Sequence, residues 1–191
     1  FFLVFAIRPM QAAGMVEGVQ QGQQQAGPAN TDEQEVCTSS EYALEACNGL
    51  QSLNQTWAAT FDAQGYGDQF QQPTLDLYGG GGVRTGCGNG TSAMGPFYCP
   101  ADQTIYIDTS FYDTLERQLG AGGDFARYYV LAHEYGHHIQ TITGISGQIR
   151  SAQQQNPSRV NQLQVLMELQ ADCYAGVWAG KNRNLIEPGD I

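Results

Sequence analysis

Hydrophobic residues recur at two spacings in the first part of this chain, and each spacing predicts one type of element. From residue 31 to about residue 61 they follow helical spacing, and the expected core contacts are Tyr42, Leu44, Leu50, Leu53 and Trp57. Residues 74–78 instead alternate hydrophobic and polar side chains, as a short strand does. We therefore expect one long helix followed by a strand.

A strand and a short helix are predicted in the middle of the chain. Residues 103–108 alternate, with Ile105 and Ile107 on one side, which is typical of a half-buried strand. Residues 110–119 favour a short helix, and the glycine-rich residues 120–123 are expected to close it. The middle of the chain should therefore add a second strand and a second helix.

A long helix is predicted after these glycines. Asp124 is a favourable N-cap for a helix that runs from residue 125 to about residue 142. Gly144 then provides a natural stop. The polar residues 146–155 that follow are expected to form a loop or a loosely held helix.

A second long helix is predicted from Pro157, because proline is favoured at the first position of a helix. Its hydrophobic pattern reaches about residue 179, and Gly180 is expected to end it. Together these elements predict an α+β fold that is mainly helical and contains a small sheet.

The first thirty residues differ in composition from the rest. Residues 1–7 are all apolar, which is too short for a bilayer span of about 20 residues. Residues 17–30 are rich in Gln and Gly and are typical of a linker. We interpret residues 1–30 as an apolar segment plus linker, either the remnant of a membrane anchor or signal segment, or a strand that docks on the domain or on a partner. Residues 31–191 are then one domain.

Composition limits the partners of this domain. The whole chain, with 191 residues and 41% hydrophobic content, can bury one sizeable core. The net charge is -11, from eight basic and nineteen acidic residues. Such a chain should repel nucleic acid, so we expect no nucleic-acid partner.

Four of the five cysteines are candidates for two disulfides. Cys87 and Cys99 flank a Gly/Asn/Ser-rich stretch in which a chain reversal would bring them together. Cys37 and Cys47 would lie about 15 Å apart on one continuous helix, which is too far for a bond. Either these two are not bonded, or the helix breaks between them.

The cysteines lead to two further expectations, one about the fifth cysteine and one about the compartment of the protein. Cys173 falls in an apolar helical pattern and is expected to be a small buried core residue. Two disulfides would indicate an oxidising, extracytoplasmic setting, with the protein either anchored to a membrane or secreted.

The most specific motif is His133-Glu134-Tyr135-Gly136-His137, which reads H-E-x-x-H. On a helix, residues four apart share one face, so both imidazoles can reach one metal ion. Glu134 lies beside them and can take a proton from water at the metal. The motif therefore predicts a zinc site with a general base.

A catalytic zinc site usually has three protein ligands, and the third here should not be a histidine. His138 points about 100° around the helix from His137 and is expected on the helix surface or behind the ligands. Glu168 and Asp172 lie four residues apart on the second long helix, in an apolar stretch. We expect Glu168 to ligate the metal and Asp172 to orient a ligating histidine, with Asp172 or Cys173 as the alternative ligands.

Four sequence blocks carry a resemblance to a known family. Together they resemble the bacterial neutral zinc metallopeptidases, over roughly residues 50–191. The blocks are FYCPAD at 97–102, IYID at 105–108, HEYGHHIQ at 133–140, and ELQADCYAGVW at 168–178.

The resemblance implies a zincin-like fold in which the active-site helix packs on the second ligand-bearing helix. It implies zinc at His133 and His137, with Glu134 catalytic. The E-x-x-x-D pattern is also similar to the thermolysin-like group, where the glutamate ligates and the aspartate supports a histidine. Family members commonly carry an N-terminal membrane anchor and continue beyond the segment matched by residues 187–191, so we expect this domain to be truncated at its C-terminus.

We therefore expect a zinc-dependent endopeptidase that acts on peptides or proteins. The strand with Ile105 and Ile107 is expected to lie beside the active-site helix and to pair with an extended substrate. The alternative is a non-catalytic, zinc-containing subunit of a larger assembly, including one at a membrane, held through the N-terminal segment. Candidate oxyanion donors are the tyrosines at 128, 129, 135 and 174.

Overall fold

The computed structural model describes residues 36–119 and 124–185. The predicted apolar segment and linker at residues 1–30 lie outside the described residues. Within the described residues the fold is mainly helical with a small sheet, as predicted. The helices are α1 (Glu41–Ala63), α2 (Thr109–Leu119), α3 (Asp124–Ile142), α4 (Ile145–Gln155) and α5 (Val160–Lys181), and the strands are β1 (Thr74–Tyr78), β2 (Val83–Thr85), β3 (Gly88–Gly90), β4 (Phe97–Cys99) and β5 (Thr104–Asp108).

Helix α1 begins later than predicted because the chain turns just before it. Ser40 caps the helix, and its hydroxyl accepts a hydrogen bond from the backbone N–H of Ala43. The turn brings the Cα atoms of Cys37 and Cys47 to 5.8 Å, and the two cysteines are bonded. Of the two alternatives for this pair, the broken helix is therefore the one observed.

The sheet has three strands in the order β1-β5-β4. Strand β5 runs parallel to β1 and antiparallel to β4, and all five of its residues are buried. The prediction of a half-buried strand was wrong, because β5 is the central strand and is covered on both faces. Its two edges are already paired, so it cannot pair with a peptide, and that prediction was also wrong. Strand β4 is the edge strand beside α3.

A hairpin and a disulfide hold the loop region beside the sheet. Strands β2 and β3 pair antiparallel. After β3 the chain returns through β4, and this reversal brings the Cα atoms of Cys87 and Cys99 to 5.8 Å. The prediction of a disulfide between them is confirmed.

The two long helices α3 and α5 pack closely at one glycine. A Cβ atom at Gly136 would lie 2.9 Å from the Cα and the carbonyl oxygen of Ala171. Gly136 therefore allows a close approach of the two backbones. Helix α4 begins immediately after Gly144, whose φ of 77° suits only glycine well, and α5 ends at Lys181, one residue beyond the predicted Gly180.

Helices α1, α3 and α5 and strand β5 enclose one main core. Trp178 of α5 is fully buried, and its indole N–H donates to the hydroxyl of Ser52 on α1. Of the core contacts predicted on α1, Leu53 and Trp57 are buried, and Tyr42 and Leu50 are partly buried. The prediction was wrong for Leu44, which keeps 48% of its surface because it lies on the face of α1 that is turned away from the core. The fully buried members of this core include Leu53, Ile105, Ile107, Leu131, Tyr135 and Ala175.

The opposite side of α5 is exposed and apolar. Leu166 and Leu169 keep 51% and 57% of their surface, and Val165 keeps 55%. Cys173 lies on the same side and is an exposed free thiol. The expectations of a buried Cys173 and of an apolar environment all around the ligand positions were therefore wrong, because α5 packs on the core through one face only.

Two disulfides indicate that the protein occupies an oxidising compartment outside the cytoplasm. Among the described residues, none of the helices has the length and apolarity required to cross a membrane.

Candidate metal centre

The structure brings the two motif histidines and Glu168 together. His133 and His137 lie one turn apart on α3, and their ring centroids are 4.9 Å apart. Oε2 of Glu168, on α5, lies 3.3 Å from Nε2 of His133 and 3.2 Å from Nε2 of His137. Two helices therefore supply two nitrogens and one oxygen that face one point.

This donor set fits a zinc ion. The three donor atoms lie within 4.8 Å of one another. Two ligands at about 2.0–2.1 Å from zinc are about 3.3 Å apart when the geometry is tetrahedral. Both nitrogen–oxygen distances match that separation, and two imidazoles with one carboxylate form a known catalytic zinc ligand set.

Asp172 lies behind His133 rather than among the donors. Its Oδ1 is 2.8 Å from Nδ1 of His133 and accepts a second hydrogen bond from the hydroxyl of Tyr129 at 3.0 Å. Because an ionised carboxylate only accepts hydrogen bonds, Nδ1 carries the proton and Nε2 keeps its lone pair. This contact favours the tautomer of His133 that has its lone pair on Nε2, the atom that faces Glu168.

Glu134 is a buried carboxyl group beside the donors, with 9% of its surface exposed. Burial, followed by the negative charge of Glu168, raises the pKa of Glu134 to about 8, and the backbone N–H of Tyr98 acts in the opposite direction. A nearby dication would also favour the ionised form. The position and polarity of Glu134 suit a group that takes and returns a proton.

The third histidine is buried and takes no part in this cluster. His138 has no exposed surface, and its Nε2 lies 2.7 Å from the carbonyl of Gln71 while Nδ1 lies 3.1 Å from the hydroxyl of Tyr98. Burial lowers the pKa of His138. The expected position behind the ligands agrees with this placement, and the expected position on the helix surface does not.

Two contacts beside the cluster, made by Gln140 and Tyr129, were not predicted from the sequence. Nδ1 of His137 lies 2.9 Å from Oε1 of Gln140, one turn later on α3. Tyr129 is four residues before His133, and its hydroxyl is occupied by Asp172. Helical spacing from the motif is the signal that could have found both residues.

The tyrosines that were candidate oxyanion donors have other contacts. The hydroxyl of Tyr135 donates to Asn54 at 2.7 Å, within the core. The ring of Tyr174 packs edge-on against Trp57. The hydroxyl groups of Tyr129 and Tyr135 thus contact Asp172 and Asn54 rather than the three donor atoms.

Curated relatives share about half of their residues with this chain in the aligned part. An Escherichia coli (strain K12) relative, "Uncharacterized protein YpfJ", is 51% identical over 145 residues, which cover 74% of this chain and 50% of that protein. A Mycobacterium tuberculosis relative, "Uncharacterized protein Rv2575", is 50% identical over 111 residues, which cover 58% of this chain and 36% of that protein. The chain thus spans half or less of the length of these relatives.

A family assignment follows from the whole chain. No solved structure matches it. The profile of the family described as "Putative neutral zinc metallopeptidase" matches residues 2–191, which includes every residue of the donor cluster. The chain therefore belongs to this neutral zinc metallopeptidase family.

Proposed function

We propose that this chain is the zinc-binding domain of an endopeptidase that hydrolyses peptide bonds. One observation carries the proposal. Nε2 of His133 and Nε2 of His137 both face Oε2 of Glu168, and the buried carboxyl group of Glu134 lies beside them. A purely structural zinc site has no need of a base at this position, so Glu134 favours catalysis.

The chemistry divides between the metal and Glu134. His133, His137 and Glu168 would hold zinc, which supplies a lowered water pKa and polarises a carbonyl group. Glu134 takes the proton from the attacking water and later returns it to the leaving amine. Asp172 keeps His133 in its metal-binding tautomer throughout.

Substrate would bind along β4 rather than β5. β4 is the edge strand that lies beside α3, and the backbone N–H of Tyr98 within it faces the carboxyl group of Glu134. An extended peptide that adds to this edge would pass beside the base. The substrates are therefore peptides or proteins in an extended conformation, and the net charge of -11 disfavours nucleic acid.

A second function has one observation in its favour. The exposed apolar face of α5, with Val165, Leu166 and Leu169, indicates a surface that another part of the protein or a partner covers. The chain would then be a non-catalytic, zinc-containing subunit of a larger assembly, including an assembly at a membrane. Isolation of the native protein with stoichiometric partners and without peptidase activity would favour this function.

The catalytic proposal is tested with the variant Glu134→Gln. We expect it to keep one zinc per chain and to lose hydrolysis by about 10²–10⁴-fold, because the amide cannot accept the proton. Zinc is measured by mass spectrometry, and hydrolysis is measured with a casein digest. The matched variant Glu168→Ala should lose zinc and activity together.

Two results would contradict the proposal. Wild-type activity in Glu134→Gln would exclude Glu134 as the base. Full zinc content in Glu168→Ala would exclude Glu168 as the third ligand.

A further inference from the structure

We propose that Gln140 is a positioning residue that fixes the tautomer and orientation of His137 and links it to the helix that carries Glu168. The inference rests on the proposed zinc site but does not depend on hydrolysis. Gln140 has no exposed surface, although it is a long polar side chain. Such a residue is retained in a core only when its polar atoms have partners.

Both polar atoms of the Gln140 side chain have hydrogen-bond partners. Its Nε2 lies 2.7 Å from the carbonyl oxygen of Met167 and 3.1 Å from Oε1 of Gln170. Its Oε1 lies 2.9 Å from Nδ1 of His137. Two donors and one acceptor are thus used within a single buried amide.

These partners determine the orientation of the amide. A backbone carbonyl only accepts hydrogen bonds, so the NH₂ group of Gln140 must face Met167 and the oxygen must face His137. A flipped amide would place oxygen against oxygen. Nδ1 of His137 therefore carries a proton, and in the neutral ring the lone pair lies on Nε2, the atom that is 3.2 Å from Oε2 of Glu168.

The same amide connects the two helices of the site. Met167 directly precedes Glu168 on α5, and Gln140 follows His137 by one turn on α3. A movement of α5 that displaces Glu168 would also displace the carbonyl that holds Gln140. The orientation of His137 and the position of Glu168 are therefore coupled through one side chain.

The two histidines are supported in electrostatically different ways. His133 contacts the carboxylate of Asp172, whereas His137 contacts a neutral amide. A neutral partner avoids a further negative charge in a site that already contains Glu134, Glu168 and Asp172. A carboxylate at position 140 would also face the carbonyl of Met167, which it could approach only when protonated.

The test compares two substitutions at position 140. Gln140→Met keeps the length but removes every hydrogen bond, whereas Gln140→Glu keeps the shape and an acceptor for Nδ1 of His137. We expect the zinc affinity of Gln140→Met to fall about 10- to 100-fold, as measured by competition with a chelator. Gln140→Glu should retain affinity closer to that of the wild-type protein.

The control is Tyr135→Phe, which removes a buried hydrogen bond to Asn54 from the core side of the same helix. This variant should lose thermal stability and keep its zinc affinity. The visible absorption spectrum of the cobalt-substituted protein should change in Gln140→Met and not in Tyr135→Phe, because only the first alters ligand orientation.

Opposite results overturn the proposal. Wild-type zinc affinity in Gln140→Met would show that Gln140 acts by packing alone. A wild-type protein that binds zinc with this dependence but cleaves no peptide would leave Gln140 as a positioning residue and would remove the proposed peptidase function. A wild-type protein that binds no zinc would overturn both.

Discussion

His138 is fully buried between a carbonyl group and a hydroxyl group, next to the pair of histidines at the donor cluster. The carbonyl of Gln71 only accepts, so Nε2 of His138 donates to it and Nδ1 accepts from Tyr98. Burial lowers the pKa of His138, so the ring stays neutral in the folded protein. One helix thus carries three imidazoles, of which two face a metal position and one supports the core.

This burial predicts a loss of stability in acid. The unfolded chain takes up a proton on His138 near its usual pKa of 6.5, and the folded chain does so only at lower pH. The stabilising contribution is therefore present above about pH 6.5 and is lost as the pH falls through the folded pKa. The raised pKa of Glu134 acts in the opposite direction over this interval, so the contribution of His138 is measured as a difference from a variant that keeps Glu134.

The matched variant for this prediction is His138→Gln, which offers a donor and an acceptor but does not titrate. The urea midpoint of the metal-free wild-type protein, relative to that of His138→Gln, should be lower at pH 5.5 than at pH 7.5. An equal pH dependence in both proteins would assign the effect to other groups.

At this scale the sequence predicts those site residues whose relation is set by one helix. His133 and His137 are four residues apart, as are Glu168 and Asp172, and helical geometry alone places each pair on one face. The role of Gln140 was not predicted, and Cys173 was wrongly expected to be buried, for the opposite reason. The role of Gln140 depends on a carbonyl of α5, and the exposure of Cys173 depends on which face of α5 meets the core.

Among the secondary-structure elements, the contact between α3 and α5 determines whether the donors meet. Gly136 occupies a motif position where the usual pattern allows any residue. Here its missing side chain is required, because a Cβ atom would lie 2.9 Å from the backbone of Ala171. The two histidines lie within one turn of Gly136 on α3, and Glu168 lies within one turn of Ala171 on α5.

We expect Gly136→Ala to separate the two helices. The backbone of Ala171 cannot yield as a flexible side chain can, so the free energy of unfolding should fall by about 1–3 kcal/mol. Zinc affinity should fall as well, since Glu168 moves away from the histidines. Thermal unfolding and chelator competition measure the two effects.

Gly176→Ala is the control on α5, since a Cβ atom there meets nothing within 4 Å. It should leave zinc affinity unchanged and raise stability by up to about 1 kcal/mol, because alanine is the better helix former. Wild-type stability and zinc affinity in Gly136→Ala would show that the close approach is not needed.

Hydrophobic periodicity predicts the long elements and fails for the short ones. Helix α3 and strand β1 appear at their predicted positions, because each has enough residues to display a period. Strands β2, β3 and β4 have three residues each, which is too few for any pattern. Their positions depend on which segments pair, and the burial of both faces of β5 depends on the elements packed around it.

In the molecule as a whole, four cysteines are oxidised in two disulfides and one cysteine is a free thiol. The bonded pairs lie at the start of α1 and beside the sheet, whereas Cys173 is exposed on α5. Each bond closes a short loop, of 10 or 12 residues in sequence separation. Closing a loop of that size restricts the unfolded chain and stabilises the fold by about 3 kcal/mol.

A thiol titration tests this arrangement. The native, unreduced protein should react with one equivalent of a thiol reagent, and Cys173→Ser should remove that reaction. After reduction and unfolding, all five cysteines should react. More than one reactive thiol in the unfolded but unreduced protein would mean that a predicted disulfide is absent.

The division of the donors between α3 and α5 has a thermodynamic consequence. His133 and His137 belong to one helix and Glu168 to the other, so the complete donor set exists only while the two helices remain docked. An ion that binds all three donors therefore binds the native state in preference to the unfolded one. By mass action, an ion at 100 times its dissociation constant would add about 2.7 kcal/mol to stability. The metal content of the surroundings would then influence how long this protein survives, independently of any reaction that it catalyses.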